Sequence, residues 1–158
     1  MDDQSRLKEL LLEQLDGGNA HIEFSDAIKG LKIHDVGIRP DNLPHSIWEL
    51  VEHVRLAQYD ILEFSKNPDY QEPSWPDDYW PPAPQPENQH EWQQTINAFH
   101  NDRKAMAELI RQRDVDVTKP LEHGSGQTLF REAMLVVDHT SYHIGQIVQV
   151  RRLLGLWD

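Results

Sequence analysis

The sequence contains no cysteine among its 158 residues. A disulfide framework, a cysteine-based zinc finger, an iron–sulfur cluster and a protein thiol nucleophile are therefore excluded. No stretch approaches the about 18 consecutive apolar residues of a membrane-spanning helix, and the first residues lack the basic-then-apolar pattern of a secretion signal. These absences predict a cytoplasmic protein that does not bind membranes.

Basic residues are also scarce, with 15 Lys and Arg against 27 Asp and Glu, for a formal net charge of -12. Residues 1–100 hold 19 of the acids and 7 of the bases, whereas residues 101–158 hold 8 of each. An acidic surface repels phosphate backbones, so nucleic acid is not an expected partner. A hydrophobic content of 38% with five Trp is enough for a folded core, and the length suits a single domain over residues 1–158.

Four segments show the periodicity of amphipathic helices, at about 5–15, 46–66, 87–112 and 128–154. The second has the clearest start, because Ser46 followed three residues later by Glu49 is a capping box. Pro68 stops the same helix. Neither an internal repeat nor a convincing strand pattern is present. The pattern predicts an all-α fold with the architecture of a four-helix bundle.

Residues 68–86 differ from the rest of the chain, since seven of the ten prolines fall there among several aromatic residues. So many prolines exclude a helix. About 20 extended residues can reach ~60 Å, whereas a 20-residue helix is ~30 Å long. This segment can therefore cross the whole bundle, and the two helices it joins need not be antiparallel. A strap packed on the bundle is the preferred explanation of its length, ahead of an active-site lid and of a polyproline ligand for another domain.

The last helix carries a histidine pair, His139 and His143, that lies one turn apart on the apolar stripe. Two imidazoles at this spacing can bind the same metal ion. Hydrogen bonds to neighbouring groups explain an isolated pair more simply, because such pairs arise easily by chance. The pair also lacks the general-base glutamate of the zincin proteases, since Thr140 follows the first histidine.

A third histidine, His53, changes this balance because it interrupts the inward stripe of the second helix. Three core-facing histidines on two helices match the three-ligand, one-open-position geometry of a catalytic divalent metal. His45 and His100 compete with His53 for the place of third ligand. As a fourth ligand, His100 would close the site and favour a structural metal.

Two carboxylates, Glu49 and Glu132, lie on faces that suit a general base near the metal. Glu132 also suits a simpler role, as a negative charge near the N-terminus of its helix. Gly145, in the middle of the last helix, predicts the close approach of another helix or of a ligand.

The chain resembles the DinB-like family of small metal-binding four-helix bundles. The resemblance rests on WELVEH at 48–53, HTSYHIGQ at 139–146 and RRLLG at 151–155, and it extends over about residues 5–155. It implies an up-down-down-up bundle and a homodimer. It also implies that a divalent ion such as zinc or nickel is bound by His53, His139 and His143. Characterised members of the family include thiol S-transferases and a thiol-dependent isomerase, which use a low-molecular-weight thiol.

Three functions fit this reading of the sequence. The favoured one is S-transfer from a low-molecular-weight thiol to a small electrophile, because a protein without cysteine then receives its sulfur from the cosubstrate. Trp75 or Trp80 could cover the electrophile. The alternative is a hydrolase that uses metal-bound water and a carboxylate base. The third is a bundle that binds a metal or ligand without catalysis.

Overall fold

The computed structural model of the chain describes residues 2–157, and in that range the fold is helical. The α-helices, in chain order, are α1 (Asp3–Asp16), α2 (Phe24–Ile28), α3 (Ile33–Val36), α4 (Ile47–Lys66), α5 (Gln89–Arg111) and α6 (Leu129–Leu153). Over these residues there is no β-strand, only an isolated bridge between Pro120 and Thr128. The predicted all-α class is therefore confirmed. None of the described helices has both the length and the apolarity needed to cross a membrane.

The four long helices begin where side chains cap their first turns. The capping residues are Asp2, Ser46, Asn88 and Thr128. At the start of α4 the Glu49 amide donates to Ser46 Oγ at 3.2 Å, and the Ser46 amide donates to the Glu49 carboxylate at 2.8 Å. This is the predicted capping box. Local capping signals of this kind explain why all four long helices lie within two residues of their predicted bounds.

The long helices bury their apolar faces against one another. Helix α4 contacts both α5 and α6, and α1 also contacts α5 and α6. One buried apolar cluster joins the two short helices to α4, α5 and α6, and includes Trp48, Leu50, Phe99 and Ile147. A second joins α1 to the long helices and includes Leu11, Leu62, Met106 and Val136. Burial of these clusters fixes the rotation of α4 and α6, and so the direction in which their polar side chains point.

The proline-rich segment links α4 to α5 and lies against the first half of α4. Ser46 Oγ donates a hydrogen bond to the carbonyl of Pro84. The Nδ1 atom of His53 lies 2.8 Å from the carbonyl oxygen of Tyr79. A 3₁₀ turn at Asp77–Tyr79 is the one helical piece assigned between α4 and α5. The segment is therefore tied to the bundle beside one of the predicted metal ligands.

Gly145 contradicts its sequence-based interpretation. It is exposed on α6, and a Cβ atom built there would meet no other atom within 4 Å. The expected close approach of another helix was wrong, because Gly145 points outward while the histidines on α6 point inward.

Candidate metal centre

Helices α4 and α6 bring His53, His139 and His143 together. One ring nitrogen from each lies within 4.8 Å of the others, and the ring centroids are 4.5 to 4.9 Å apart. The Nε2 atoms of His53 and His139 are 3.1 Å apart. Two nitrogens bound to one tetrahedral zinc at ~2.0–2.1 Å would be about 3.3 Å apart. The nitrogens of His53 and His139 are thus already spaced as one metal ion requires, and a ring nitrogen of His143 lies within 4.8 Å of both.

The tautomer of His53 leaves its Nε2 atom available as a ligand. Its Nδ1 atom lies 2.8 Å from the carbonyl oxygen of Tyr79, which can only accept a hydrogen bond. Nδ1 must therefore carry the proton, so Nε2 presents a lone pair toward the other two histidines. Backbone acceptors of this kind orient metal-binding histidines in many proteins.

His143 is oriented in the same way by a side chain on its own helix. Its Nδ1 atom lies 2.6 Å from Oε1 of Gln146, three residues further along α6. The amide of Gln146 in turn donates to the hydroxyl of Tyr142 at 3.3 Å. A donor proton on Nδ1 again leaves Nε2 free to bind a metal.

The three histidines are neutral near pH 7. Burial lowers the pKa of all three, and the charge of neighbouring histidines lowers it further, to about 4 for His139 and His143. A neutral imidazole is the form that binds a metal, so the site needs no deprotonation before an ion enters.

Trp80 of the crossover segment is sandwiched between two histidines. Its ring is stacked on His53 at 3.9 Å between centroids and on His45 at 4.0 Å, with interplanar angles of 3° and 11°. Two parallel rings that lie so close to the same centroid must occupy opposite faces, since one face has no room for both. Trp80 therefore covers one side of His53, and His45 holds Trp80 in place.

Two exposed aromatic residues stand beside the cluster. Trp75 is 70% exposed with its ring 6.4 Å from that of His53, and Tyr142 is 65% exposed with its ring 5.0 Å from that of His143. Large aromatic surfaces are costly to leave in water, so their position next to a possible metal site suggests that they contact a ligand.

The structure does not bring the competing histidines into the cluster. The ring of His45 lies beyond Trp80, on the side away from His53. His100 lies on α5 with Nε2 3.4 Å from Ser25 Oγ, beside a different part of the molecule. Among the described residues, no acidic side chain or further histidine joins the three as a ligand within the same distance.

The two candidate general bases, Glu49 and Glu132, form hydrogen bonds with residues outside the histidine cluster. The Glu49 carboxylate accepts from Arg39 Nε at 2.8 Å and from the Ser46 amide at 2.8 Å. Burial alone would raise its pKa, but the bonds from Arg39 and Ser46 outweigh burial and lower it. Glu132 is buried in the first turn of α6 and accepts from Arg131 at 2.6 Å. Seven residues of helical rise place it about 10 Å along the axis from His139.

Two residues that matter to the site, Tyr79 and Gln146, were not found from the sequence. Gln146 had a detectable signal, because a residue three positions after a helical histidine lies on the same face. Tyr79 had none, because it acts through its backbone carbonyl and depends on the path of a long loop.

Comparison with known proteins identifies a similar family. The family model of the DinB superfamily matches residues 21–147, which include all three clustered histidines. No curated protein and no solved structure shows a significant match to the chain.

Proposed function

The chain belongs to the DinB superfamily, and we propose that it is an enzyme that transfers the sulfur of a low-molecular-weight thiol to a small electrophile with the help of a divalent metal. The observation that carries the proposal is the convergence of three neutral imidazoles, two of which are held in the metal-binding tautomer by Tyr79 and Gln146. Zinc and nickel are the ions we favour, since imidazole nitrogen suits both.

The ligands would be Nε2 of His53, His139 and His143. A divalent ion held by three neutral ligands keeps its full charge and an open position, and so favours loss of the thiol proton near neutral pH. In the reaction, the sulfur forms a bond to the electrophilic atom, the leaving group departs with its electron pair, and the thiol proton passes to solvent.

The aromatic residues of the site would bind the electrophile. Trp80 forms a flat apolar wall against His53, while Trp75 and Tyr142 are exposed on either side of the cluster. No Lys or Arg side chain is hydrogen-bonded or stacked at the cluster in the described part of the chain. We therefore favour an uncharged electrophile with an aromatic or apolar body.

Hydrolysis is less well supported than S-transfer. It needs a general base beside the attacking water, and the two candidate carboxylates are engaged with arginines away from the cluster. A non-catalytic binding role remains the alternative from another class, and the activity test below separates it from both reactions.

The helix order belongs to the same proposal. Trp48 and Trp92, near the starts of α4 and α5, have ring centroids 6.3 Å apart, and Gln58 Nε2 donates to the Phe99 carbonyl at 2.7 Å further along. Residue numbers therefore increase in the same direction along both helices. This supports a parallel arrangement of α4 and α5, as an up-down-down-up bundle requires. The proposal also includes a single domain, which the length suggests, and a homodimer, which the family resemblance suggests. It includes a cytoplasmic location on the basis of composition.

The proposal is tested by mixing zinc-loaded or nickel-loaded protein with cysteine, glutathione or coenzyme A and the electrophile monochlorobimane, and following the fluorescence of the thioether. We expect at least one thiol to react faster with the protein than without it, and His143→Ala to abolish the acceleration. Gln149→Ala, an exposed position on the same helix, serves as the control. Equal rates for the parent and His143→Ala would contradict metal-dependent transfer.

A further inference from the structure

A cavity lies on a different face of α6 from the metal cluster. Its volume is about 390 Å³, within the ~300–1,000 Å³ range of small-molecule sites. The loop after α1, together with α2, α5 and α6, forms its walls, and α6 contributes Thr140 and Ile144. None of the three clustered histidines lines it, so it is a separate compartment that the proposed reaction does not use.

The cavity wall contains a cation, Arg103, that is held by three neutral groups. Its Nε donates to Gln58 Oε1 at 2.7 Å, Nη1 to the Leu15 carbonyl at 2.8 Å, and Nη2 to Thr140 Oγ1 at 2.9 Å. The ring of Phe99 lies 4.9 Å below the guanidinium carbon. Within residues 2–157, no carboxylate lies within ion-pair distance of Arg103.

An arginine in this state is prepared to bind an anion. Burial lowers its pKa to about 10, which reflects the cost of keeping the charge away from water without a paired carboxylate. A guanidinium has five N–H groups, and three are used, so one N–H remains on each Nη atom. Two donors on adjacent nitrogens match the two oxygens of a carboxylate.

We propose that this cavity binds a small monocarboxylate with an apolar or aromatic body, and that Arg103 binds its carboxylate group. Phe24 and Phe99, stacked at 3.8 Å between centroids, and Ile144 supply the apolar wall. The ring of His100 also lines the cavity. The cavity shares no lining residue with the three clustered histidines, so binding there is independent of the metal cluster and of the reaction proposed for it.

Two acidic residues, Asp16 and Glu23, line the cavity and would compete with a bound carboxylate. Asp16 is the one whose negative charge raises the pKa of Arg103, against the larger effect of burial. Asp16 is exposed at the end of α1 and forms no ion pair with Arg103 in the described residues. A bound carboxylate would be repelled by Asp16, so neutralising this side chain should tighten binding.

The test is a titration of the zinc-loaded 158-residue chain with benzoate, monitored by calorimetry and by amide chemical shifts in ¹⁵N-labelled protein. Benzamide, of the same shape without the charge, is the ligand control. We expect a Kd of about 1 mM or tighter for benzoate, with shifts at residues 16–25 and 99–103. Arg103→Gln should weaken binding about tenfold or more.

Further variants keep the test decisive if Arg103→Gln fails to fold. Asp16→Asn should bind benzoate about twofold to fivefold more tightly, whereas Asp138→Asn, exposed on α6 and outside the cavity, should change nothing. His143→Ala should leave binding unchanged, because the metal is not involved. Benzamide as tight as benzoate, shifts confined to residues 50–56 and 75–80 around His53, loss of binding in His143→Ala, or no saturable binding at about 10 mM would each overturn the proposal.

Discussion

At the scale of single residues, the second nitrogen of a histidine decides what the first can do. His53 uses Nδ1 to bind the Tyr79 carbonyl, and His143 uses Nδ1 to bind Gln146, so in both rings Nε2 is left for a ligand. Without these acceptors, each ring could rotate or change tautomer. Part of the free energy of metal binding would then be used to fix the ring geometry, and the affinity would be lower. The acceptors are therefore as much a part of the site as the ligands.

Gln146→Leu tests this role directly. The variant removes the acceptor of His143 and keeps a side chain of similar length, so we expect metal affinity to fall about 10-fold to 100-fold. Competition with a chromophoric chelator measures it. Gln149→Leu, which changes the same residue type at an exposed position on the same helix, is the matched control. Equal affinity in the two variants would show that Gln146 does not orient the ligand.

The buried histidines also predict how stability depends on pH in the metal-free protein. His139 and His143 have pKa values of about 4 in the fold, below the ordinary value near 6.5 that an unfolded chain would show. Between these values the unfolded chain binds more protons, so stability is complete above about pH 6.5 and is lost as pH falls toward 4. Urea unfolding at several pH values, with a chelator present, measures the loss.

The control for that experiment is the double variant His139→Gln, His143→Gln. This variant lacks the two histidines whose pKa values are lowered by the fold, so its free energy of unfolding should fall less steeply over the same pH range. An equally steep fall in the parent and in the variant would place the cause in other groups.

The residues of the site divide into those that sequence could and could not predict. His53, His139 and His143 were predictable because each interrupts an apolar stripe at helical spacing, and buried polar groups need a reason. The sequence could not exclude His45 as a ligand, since its position depends on a loop whose path is set by non-local contacts. In the structure it stacks on Trp80 instead.

At the scale of elements, the proline-rich crossover segment is the part of the fold that shapes the site. It supplies the carbonyl that orients His53 and the indole that covers it. Burial first and the Asp60 carboxylate second raise the pKa of its tyrosines Tyr70 and Tyr79, so both phenols stay protonated well into the alkaline range. The segment is thus tied to α4 by hydrogen bonds and aromatic stacking.

Trp80→Ala should therefore open the metal centre. The variant removes the ring that separates His53 from His45 and from water, so we expect a chelator to remove the metal several times faster than from the parent. Stopped-flow absorbance with a zinc-sensitive dye measures the rate. Trp75→Ala is the matched control, because this tryptophan is 70% exposed and its loss should change the rate less. The reverse order would mean that Trp75 is the residue that restricts access.

Helix bounds and loop paths differ in how far sequence can specify them. The start of α4 is encoded in Ser46 and Glu49 themselves, since a capping box is a local interaction. The helix α3 is too short to show a repeating pattern of apolar residues, so the sequence did not predict it. Gly145 misled because a glycine in a helix has the same local cost whether it faces a neighbour or open space.

At the scale of the whole molecule, the core is mostly apolar. The two buried clusters consist of aliphatic and aromatic side chains from every long helix, and they far outnumber the buried histidines His53 and His143. Burial on this scale supplies most of the stability of a small domain. The metal would then be required for function rather than for folding.

Removal of the metal should consequently leave the fold intact. We expect the chelated protein to keep its far-ultraviolet circular dichroism at 25 °C and to unfold cooperatively at a lower Tm, because ligand binding adds stability only by mass action. A structural site behaves differently, since its loss unfolds the chain. Collapse of the helical signal on chelation would assign the metal a structural role.

The central claim, that the three histidines bind a metal, is tested most directly by elemental mass spectrometry. Tag-free protein is dialysed against zinc or nickel, freed of excess metal, and compared with a His53→Ala, His139→Ala, His143→Ala variant treated in the same way. We predict close to one metal ion per chain in the parent and almost none in the variant. Absence of metal in the parent, or equal metal in both proteins, would contradict the account.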